Sequence, residues 1–263
     1  MSQKHRNAVD DSIRPFFFIL VLLGGMLSVS SLRCETPSPD VILKRANEKY
    51  SAIRKEMESW QYTQSVKNWT EESPGEKSGQ EEYLMKVRPR TQTSFKILGP
   101  EGKWIHGGTP DDDLAKRGRK YQKNMEMSTL TALMERFDFK GIGEEKKENQ
   151  AAYKFHLTPK ATFDPQTRVE TVLKAAEGDL WVSLDDYSVI QVEGTLIKPT
   201  QVAWMFATVY DLKLVYKTIA LPIGRVMSDF NLELTVEVVG TRSKRFRQVK
   251  MTDFKNNPGQ DIW

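Results

Sequence analysis

Phe230, Leu232, Leu234, Val236 and Val238 alternate without interruption against Asn231, Glu233, Thr235 and Glu237. Successive side chains of a strand point to opposite faces, so this stretch predicts one apolar and one wet face. The pattern recurs along the chain. Trp60, Tyr62 and Val66 share parity, as do Tyr83, Met85 and Val87, then Phe95 and Ile97, then Tyr153, Phe155 and Leu157. Leu180, Val182 and Leu184 run into the turn Asp185-Asp186-Tyr187, and Ile190, Val192, Gly194 and Leu196 return from it. Tyr210, Leu212, Leu214 and Tyr216 supply another strand, and Phe246, Val249, Met251 and Phe254 close the series. Strands laid down by successive hairpins pair antiparallel, and such a sheet can keep one face in water.

Helical spacing is scarce by comparison. Ile42, Ala46, Tyr50, Ile53, Met57 and Trp60 recur at intervals of three and four after Ser38-Pro39-Asp40, with Asp40 the expected N-cap. Lys44, Arg45, Glu48, Lys55 and Glu56 occupy the other side. This helix must cover an apolar surface. Leu130, Leu133, Met134 and Phe137 predict a short helix after Ser128, and the charged stretch from Asp111 to Asn124 is a weaker helical candidate. Pro159 to Gln166 reads as a loop. A sheet of about ten strands twists until it closes or curls around something. Few helices can plug a curled sheet, whereas covering both faces of a flat one takes more. The expected fold is therefore mainly antiparallel β (α+β): one strongly curved, incomplete β-barrel plugged by the N-terminal amphipathic helix and one or two short helices.

The N-terminus adds a compartment. Lys4, Arg6 and Arg14 precede the apolar run Phe16 to Leu27, and small residues follow at Ser28, Ser30 and Ser31. That is the layout of a cleaved signal peptide over 1–31, with cuts after Ser31 or Ser30 both compatible. The run is too short to span a bilayer comfortably, which takes roughly 20 apolar residues. Residues 32–40 then form a mobile linker and 41–258 the domain, exported to the periplasm of a Gram-negative-type bacterium. Cys34, the only cysteine, lies where a lipoprotein would carry its acyl group, although Ser31 and Arg33 depart from a lipobox. Acylation and a free thiol in a tail are the two readings. One cysteine excludes an intrachain disulfide framework, so the core must stabilise the fold.

Loss of residues 1–31 removes three basic and two acidic side chains and moves the formal charge from +4 to +3. So balanced a chain gives no ground for nucleic-acid binding. The strongest local excess is Arg242, Lys244, Arg245, Arg247 and Lys250, which reads as a solvated sheet edge or as a contact for anionic lipid or a partner. No nucleophile elbow, P-loop or dinucleotide fingerprint occurs. His106 and His156 fall in different strand regions without cysteine neighbours, which leaves no start for a zinc site. Asp111-Asp112-Asp113 lacks the alternate-ligand spacing of a calcium loop. Neither catalysis, a metal nor a cofactor is expected. The aromatic and aliphatic inner positions are the remaining candidates: Trp60, Tyr62, Phe155, Trp204, Phe206, Tyr210, Leu212, Phe230, Leu232 and Leu234. They form either a self-filled core or the lining of a cleft for an acyl chain, with Met127, Met134 and Met205 as adaptable neighbours.

Asp179-Leu180-Trp181-Val182-Ser183-Leu184-Asp185-Asp186-Tyr187, followed by Val189-Ile190-Gln191-Val192-Glu193-Gly194, resembles a hairpin of the bacterial outer-membrane lipoprotein-sorting proteins, the LolA/LolB-like superfamily. The order of signal, amphipathic helix, the strand with Tyr62-Thr63-Gln64, the Tyr153 to Pro159 strand and a final antiparallel set is similar too. The gating arginine of the true carrier has no counterpart that the sequence places. The resemblance therefore implies a broad superfamily member rather than the true carrier. It implies a half-barrel whose cavity binds or carries lipid or lipoprotein acyl chains without catalysis, in a monomer that can meet an envelope protein or membrane surface. The alternative is an envelope sensor or protein-interaction module with a self-filled core.

Overall fold

The computed structural model describes residues 36–87, 130–202 and 207–256 in full and the backbone of 88, 92–98, 104–106 and 203. The signal at 1–31, Cys34, the Asp111 to Asn124 stretch, Met127 and the segment with Trp204, Met205 and Phe206 lie outside the described residues.

Helix α1 (Pro39–Glu56) starts two residues earlier than the sequence pattern places it, since Asp40 lies inside the first turn and is not the N-cap. Ser38 is its N-cap residue, Pro39 opens the first turn with its ready-made φ, and Asp40 adds a negative charge there. A 3-10 turn, Met57–Ser59, ends the helical run, so Trp60 opens the first strand instead of closing the helix. The strands are β1 (Trp60–Glu71), β2 (Lys77–Arg88), β3 (Gln92–Leu98), β4 (Trp104–His106), β5 (Phe137–Lys147), β6 (Gln150–Pro159), β7 (Ala176–Ser183), β8 (Val189–Leu196), β9 (Thr200–Ala203), β10 (Ala207–Leu221), β11 (Gly224–Val238) and β12 (Thr241–Asn256). Two short helices complete the described set, α2 (Leu130–Arg136) and α3 (Arg168–Lys174).

All twelve strands join one sheet in the order β4-β3-β2-β1-β12-β11-β10-β8-β7-β6-β5, with β9 paired to the far end of β10. Every pairing is antiparallel. The sheet does not close, since β4 and β5 end its path unpaired with each other. It is nevertheless strongly curled. In a flat sheet β11 and β6 would stand four strand spacings apart, about 19 Å. Arg225, at the start of β11, instead donates from Nη1 to Gln150 Oε1 at 3.2 Å and from Nη2 to Glu148 Oε2 at 2.9 Å. Its Nε reaches Thr218 Oγ1 at 2.9 Å, and Thr218 in turn donates to the carbonyls of Val189 and Ile190. Bulges in the pairings of β1 with β12, β5 with β6, β7 with β8 and β10 with β11 help the strands bend.

The inner face is fixed by what α1 covers. Ile42 and Ala46 are fully buried against Phe155, Leu157, Leu180, Val182 and Val189. Both ends of the helix are seated by glycines. Pro39 lies over Gly141 of β5, where an added Cβ would meet its Cγ at 2.9 Å. At the other end Gly224, with φ +128°, leaves room for Ile53, whose Cδ1 would stand 2.5 Å from a Cβ. A second cluster, Val66, Met85, Val87, Phe230 and Val249, lies on β1, β2, β11 and β12. Tyr216 packs against both clusters.

Candidate functional site

Between these two clusters the inner wall changes from full to hollow. One row across the sheet reads Phe155, Leu180, Val192, Tyr216, Phe230, Val249 and Val66, each paired with the next. The neighbouring row, two residues along, reads Leu157, Gly178, Gly194, Leu214 and Leu232. Two glycines side by side leave the middle of that row without side chains. Gly178 is obligatory because β8 approaches so closely that a Cβ would stand 2.3 Å from the Glu193 carbonyl oxygen. Gly194 is not crowded in this way. A Cβ there meets Leu214 at 3.6 Å and the Glu177 carbonyl at 3.7 Å, ordinary contact distances.

A cavity of about 110 Å³ lies over the paired glycines. Leu180, Val192, Leu212, Leu214, Tyr216 and Phe230 form its sheet wall, Tyr50 of α1 and Leu130 and Leu133 of α2 its cover, and Phe137, Leu157 and Leu173 its flank. Its lining is almost wholly apolar. The exceptions include the phenols of Tyr50 and Tyr216. Burial pushes the Tyr216 hydroxyl far above the usual phenol range, with Tyr50 adding to the effect. Burial likewise raises Tyr50, partly offset by Arg54. Both phenols are thus neutral at physiological pH.

Helix α3 anchors the flank from which Leu173 reaches in. Thr167 caps it by accepting from the Glu170 N–H at 3.2 Å. The Glu170 carboxylate accepts from the Gln166 N–H at 2.9 Å and pairs with Arg136 of α2 at 2.9 Å, tying the two short helices together. Those bonds, the Gln166 one foremost, hold its carboxyl below the usual range.

The ten inner candidates separate into five groups. Leu212 and Phe230 line the cavity. Leu232 and Leu234 continue its wall on β11, opposite Leu214 and Leu212, and are half-buried. Phe155 is packed solid beneath α1, Tyr62 flanks the Val66 cluster with its ring 5.7 Å from Phe254, and Trp60 is buried at the start of β1. Tyr210 departs from the simple alternation because it is the extra residue of a bulge between Val209 and Asp211, and its ring lies beneath the guanidinium of Arg242 at 3.9 Å. Trp204 and Phe206 fall outside the described residues. Gly178 and Leu173 are what the sequence pattern did not single out, whereas Gly194 and Tyr216 stand in its alternation and Tyr50 in its helical spacing without being among the ten candidates. A Thr167-x-x-Glu170 capping signal marks α3 in the sequence.

The described residues of the outer face carry ion pairs. His156 Nδ1 lies 2.9 Å from Asp179 Oδ1, and Lys154 pairs with Asp179 Oδ2 at 2.9 Å. Burial acts to raise Asp179, but the bonds from His156 and Lys154 outweigh it and hold its carboxyl low. Trp181 lies beneath Lys147, whose Nζ is 3.7 Å from the ring centroid. Among the described residues no hydroxyl or thiol hydrogen-bonds His156 and no cluster of His, Cys, Asp and Glu is arranged to hold a metal. No described helix is long and apolar enough to cross a membrane.

The structure is similar to solved structures of the LolA superfamily. A LolA superfamily protein from Nitrosomonas europaea aligns at 10% identity over 86% of this chain and 96% of its own, with a TM-score of 0.35. A putative outer membrane lipoprotein-sorting protein domain from Vibrio parahaemolyticus aligns at 10% identity over 83% of this chain and 95% of its own, TM-score 0.34. The Mycobacterium tuberculosis lipoprotein LppX aligns at 10% identity over 85% of this chain and 99% of its own, TM-score 0.33. No family model matches the sequence, and no curated protein matches it.

Proposed function

We propose that the protein is an exported, non-enzymatic envelope protein that binds an acyl chain of a lipid or lipoprotein in the cavity between α1, α2 and the inner wall of the half-barrel. The observation that carries this reading is the hollow made by Gly178 and Gly194 in a row otherwise built of leucines. Gly178 is dictated by the close approach of β8, but no contact requires a glycine at 194, where a larger side chain would be the simple route to a self-filled core. The lining suits hydrocarbon, each buried methylene of which gains about 0.8 kcal/mol.

Size sets the mode of binding. The cavity of about 110 Å³ is smaller than the roughly 150 Å³ hollow that admits benzene. A long acyl chain therefore needs α1 or α2 to lift from the wall. A signal peptide at 1–31, a linker at 32–40 and a domain at 41–258 complete the proposal, with Cys34 as a lipidation position. The limited volume also favours a second reading, an envelope sensor or interaction module whose core is its own. Delipidated protein titrated with a fluorescent long-chain acyl probe separates the two. Saturable uptake that Gly194→Leu abolishes supports the acyl site; no uptake by the wild-type chain supports the self-filled core.

A further inference from the structure

Tyr50 and Tyr216 bring two hydroxyls to a cavity otherwise lined with hydrocarbon. Tyr216 stands in the sheet wall between Val192 and Phe230, and Tyr50 reaches the cavity from α1 on the opposite side. The two are near enough that negative charge on Tyr50 would oppose ionisation of Tyr216. Among the described residues neither hydroxyl makes a hydrogen bond. That is unusual, because most buried polar side-chain atoms have a partner. Both side chains are half-buried by accessible surface yet strongly withdrawn from water. A group can be both when the space it touches is an internal hollow.

The charge around this pair narrows what can fill the hollow. No arginine, lysine or histidine is among the lining residues. Glu177 and Glu193 contribute to the lining, but their carboxylates turn to the outer face, where Glu193 pairs with Lys147 at 3.1 Å and Glu177 lies 3.6 Å from His156. An anion bound inside would therefore lack a counter-ion, and an unpaired buried charge costs far more than a hydrogen-bonded neutral group. A carbonyl oxygen carries no net charge and has two lone pairs to offer. Two phenol donors at the border of an apolar space suit it. The pair also survives opening of the cavity by α2, because Tyr50 belongs to the helix that is seated at Gly141 and Gly224.

We infer that Tyr50 and Tyr216 recognise the carbonyl of an uncharged acyl ester, so that the cavity selects esterified chains over free fatty acids. This assignment rests on the acyl-binding reading of the cavity. It is tested by displacing a fluorescent acyl probe from the delipidated full mature chain with methyl palmitate, with an alkane of the same length, and with palmitate at about pH 9, where its carboxyl is ionised. On the wild-type protein methyl palmitate should compete about tenfold better than the alkane, the scale of two neutral hydrogen bonds, and better than ionised palmitate. In Y50F/Y216F the ester and the alkane should compete equally, the alkane at its wild-type strength. Thermal unfolding of the empty protein separates this role from a structural one. Hydroxyls without partners in the unliganded fold do not stabilise it, so Y50F/Y216F should melt no lower than wild type. Dipalmitoylglycerol and a diacylglyceryl cysteine peptide present the same ester from a lipid and from a lipoprotein; the stronger competitor names the source, and competition by neither overturns the assignment. Equal competition by ester and alkane on the wild-type protein, a preference that survives in Y50F/Y216F, or a variant that melts lower also overturns it, while the cavity reading stands as long as the alkane displaces the probe. A wild-type chain that takes up no probe overturns both.

Discussion

Replacing Gly194 with leucine should make the protein more stable and less able to bind. The added Cβ fits, since its nearest neighbours lie at 3.6 and 3.7 Å and the backbone of Gly194 is outside the left-handed region. The rest of the side chain enters a cavity of about 110 Å³. Unfilled apolar volume costs about 24 cal/mol per Å³, so complete filling would recover at most about 2.6 kcal/mol. Ordering a leucine costs about 0.5–1 kcal/mol. Removing a glycine from a strand interior returns about 0.5–1 kcal/mol, so these two contributions nearly cancel. A net gain of about 1–2.5 kcal/mol remains, which for a domain of this size raises Tm by about 3–8 °C. Thermal unfolding must be followed on delipidated protein, because bound ligand itself raises Tm. An acyl probe should then raise the Tm of the wild-type chain and leave that of Gly194→Leu unchanged. A leucine variant that melts below wild type, or that still responds to the probe, would refute the hollow as the binding volume.

Three further perturbations probe what holds the site in place. Arg225→Met removes the bonds to Gln150, Glu148 and Thr218 that draw the sheet edge together. The Arg225 side chain is only 7% exposed, so urea unfolding should show a loss of about 2–4 kcal/mol, and an unchanged midpoint would contradict its role in the curl. Gly141→Val sets a Cβ 2.9 Å from Pro39 Cγ and Tyr153 Oη, which should cost about 1–3 kcal/mol and speed amide exchange in the first turns of α1. Glu170 ionises below its ordinary value of 4.5 in the folded protein, so its contribution is present above that pH and is lost as pH falls through the lowered value. Glu170→Gln should therefore be less stable than wild type at pH 7, with the difference shrinking below about pH 4.5 in urea titrations; a gap that is constant with pH would show that the charge is not what matters.

The strands were legible because their alternation survives in the sequence wherever one face stays wet. Phe230 to Val238 is the clearest case, and Asp179 to Gly194 is another, its turn held by Asp186 Oδ1 accepting from the Ser188 N–H and hydroxyl at 3.1 and 2.6 Å. The amphipathic helix was equally plain from Ile42, Ala46 and Ile53, all buried. Its boundary was less so: Trp60 keeps the helical interval but opens β1, because an apolar residue at a junction satisfies both periods. Helix α3 was missed although the Thr167-x-x-Glu170 capping signal marks its start, and β9 was hidden by being four residues long. The site was the hardest part. Periodicity ranks large inward residues, and so it ranks Phe155, which is solid core, alongside Phe230, which faces the cavity. A binding volume is made by what is small, and Gly178 with Gly194 are sixteen residues apart in the chain. Only the pairing of β7 with β8 brings them together. Tyr210 shows the complementary effect, since a single extra residue in β10 breaks the parity on which inward and outward were read.

Native mass spectrometry of the chain extracted gently from the cell envelope tests the central claim most directly. The account predicts a species heavier than the mature polypeptide by one acyl lipid, released by organic solvent and missing from Gly194→Leu. A wild-type chain that carries no lipid, and that takes none up when offered after purification, would contradict it.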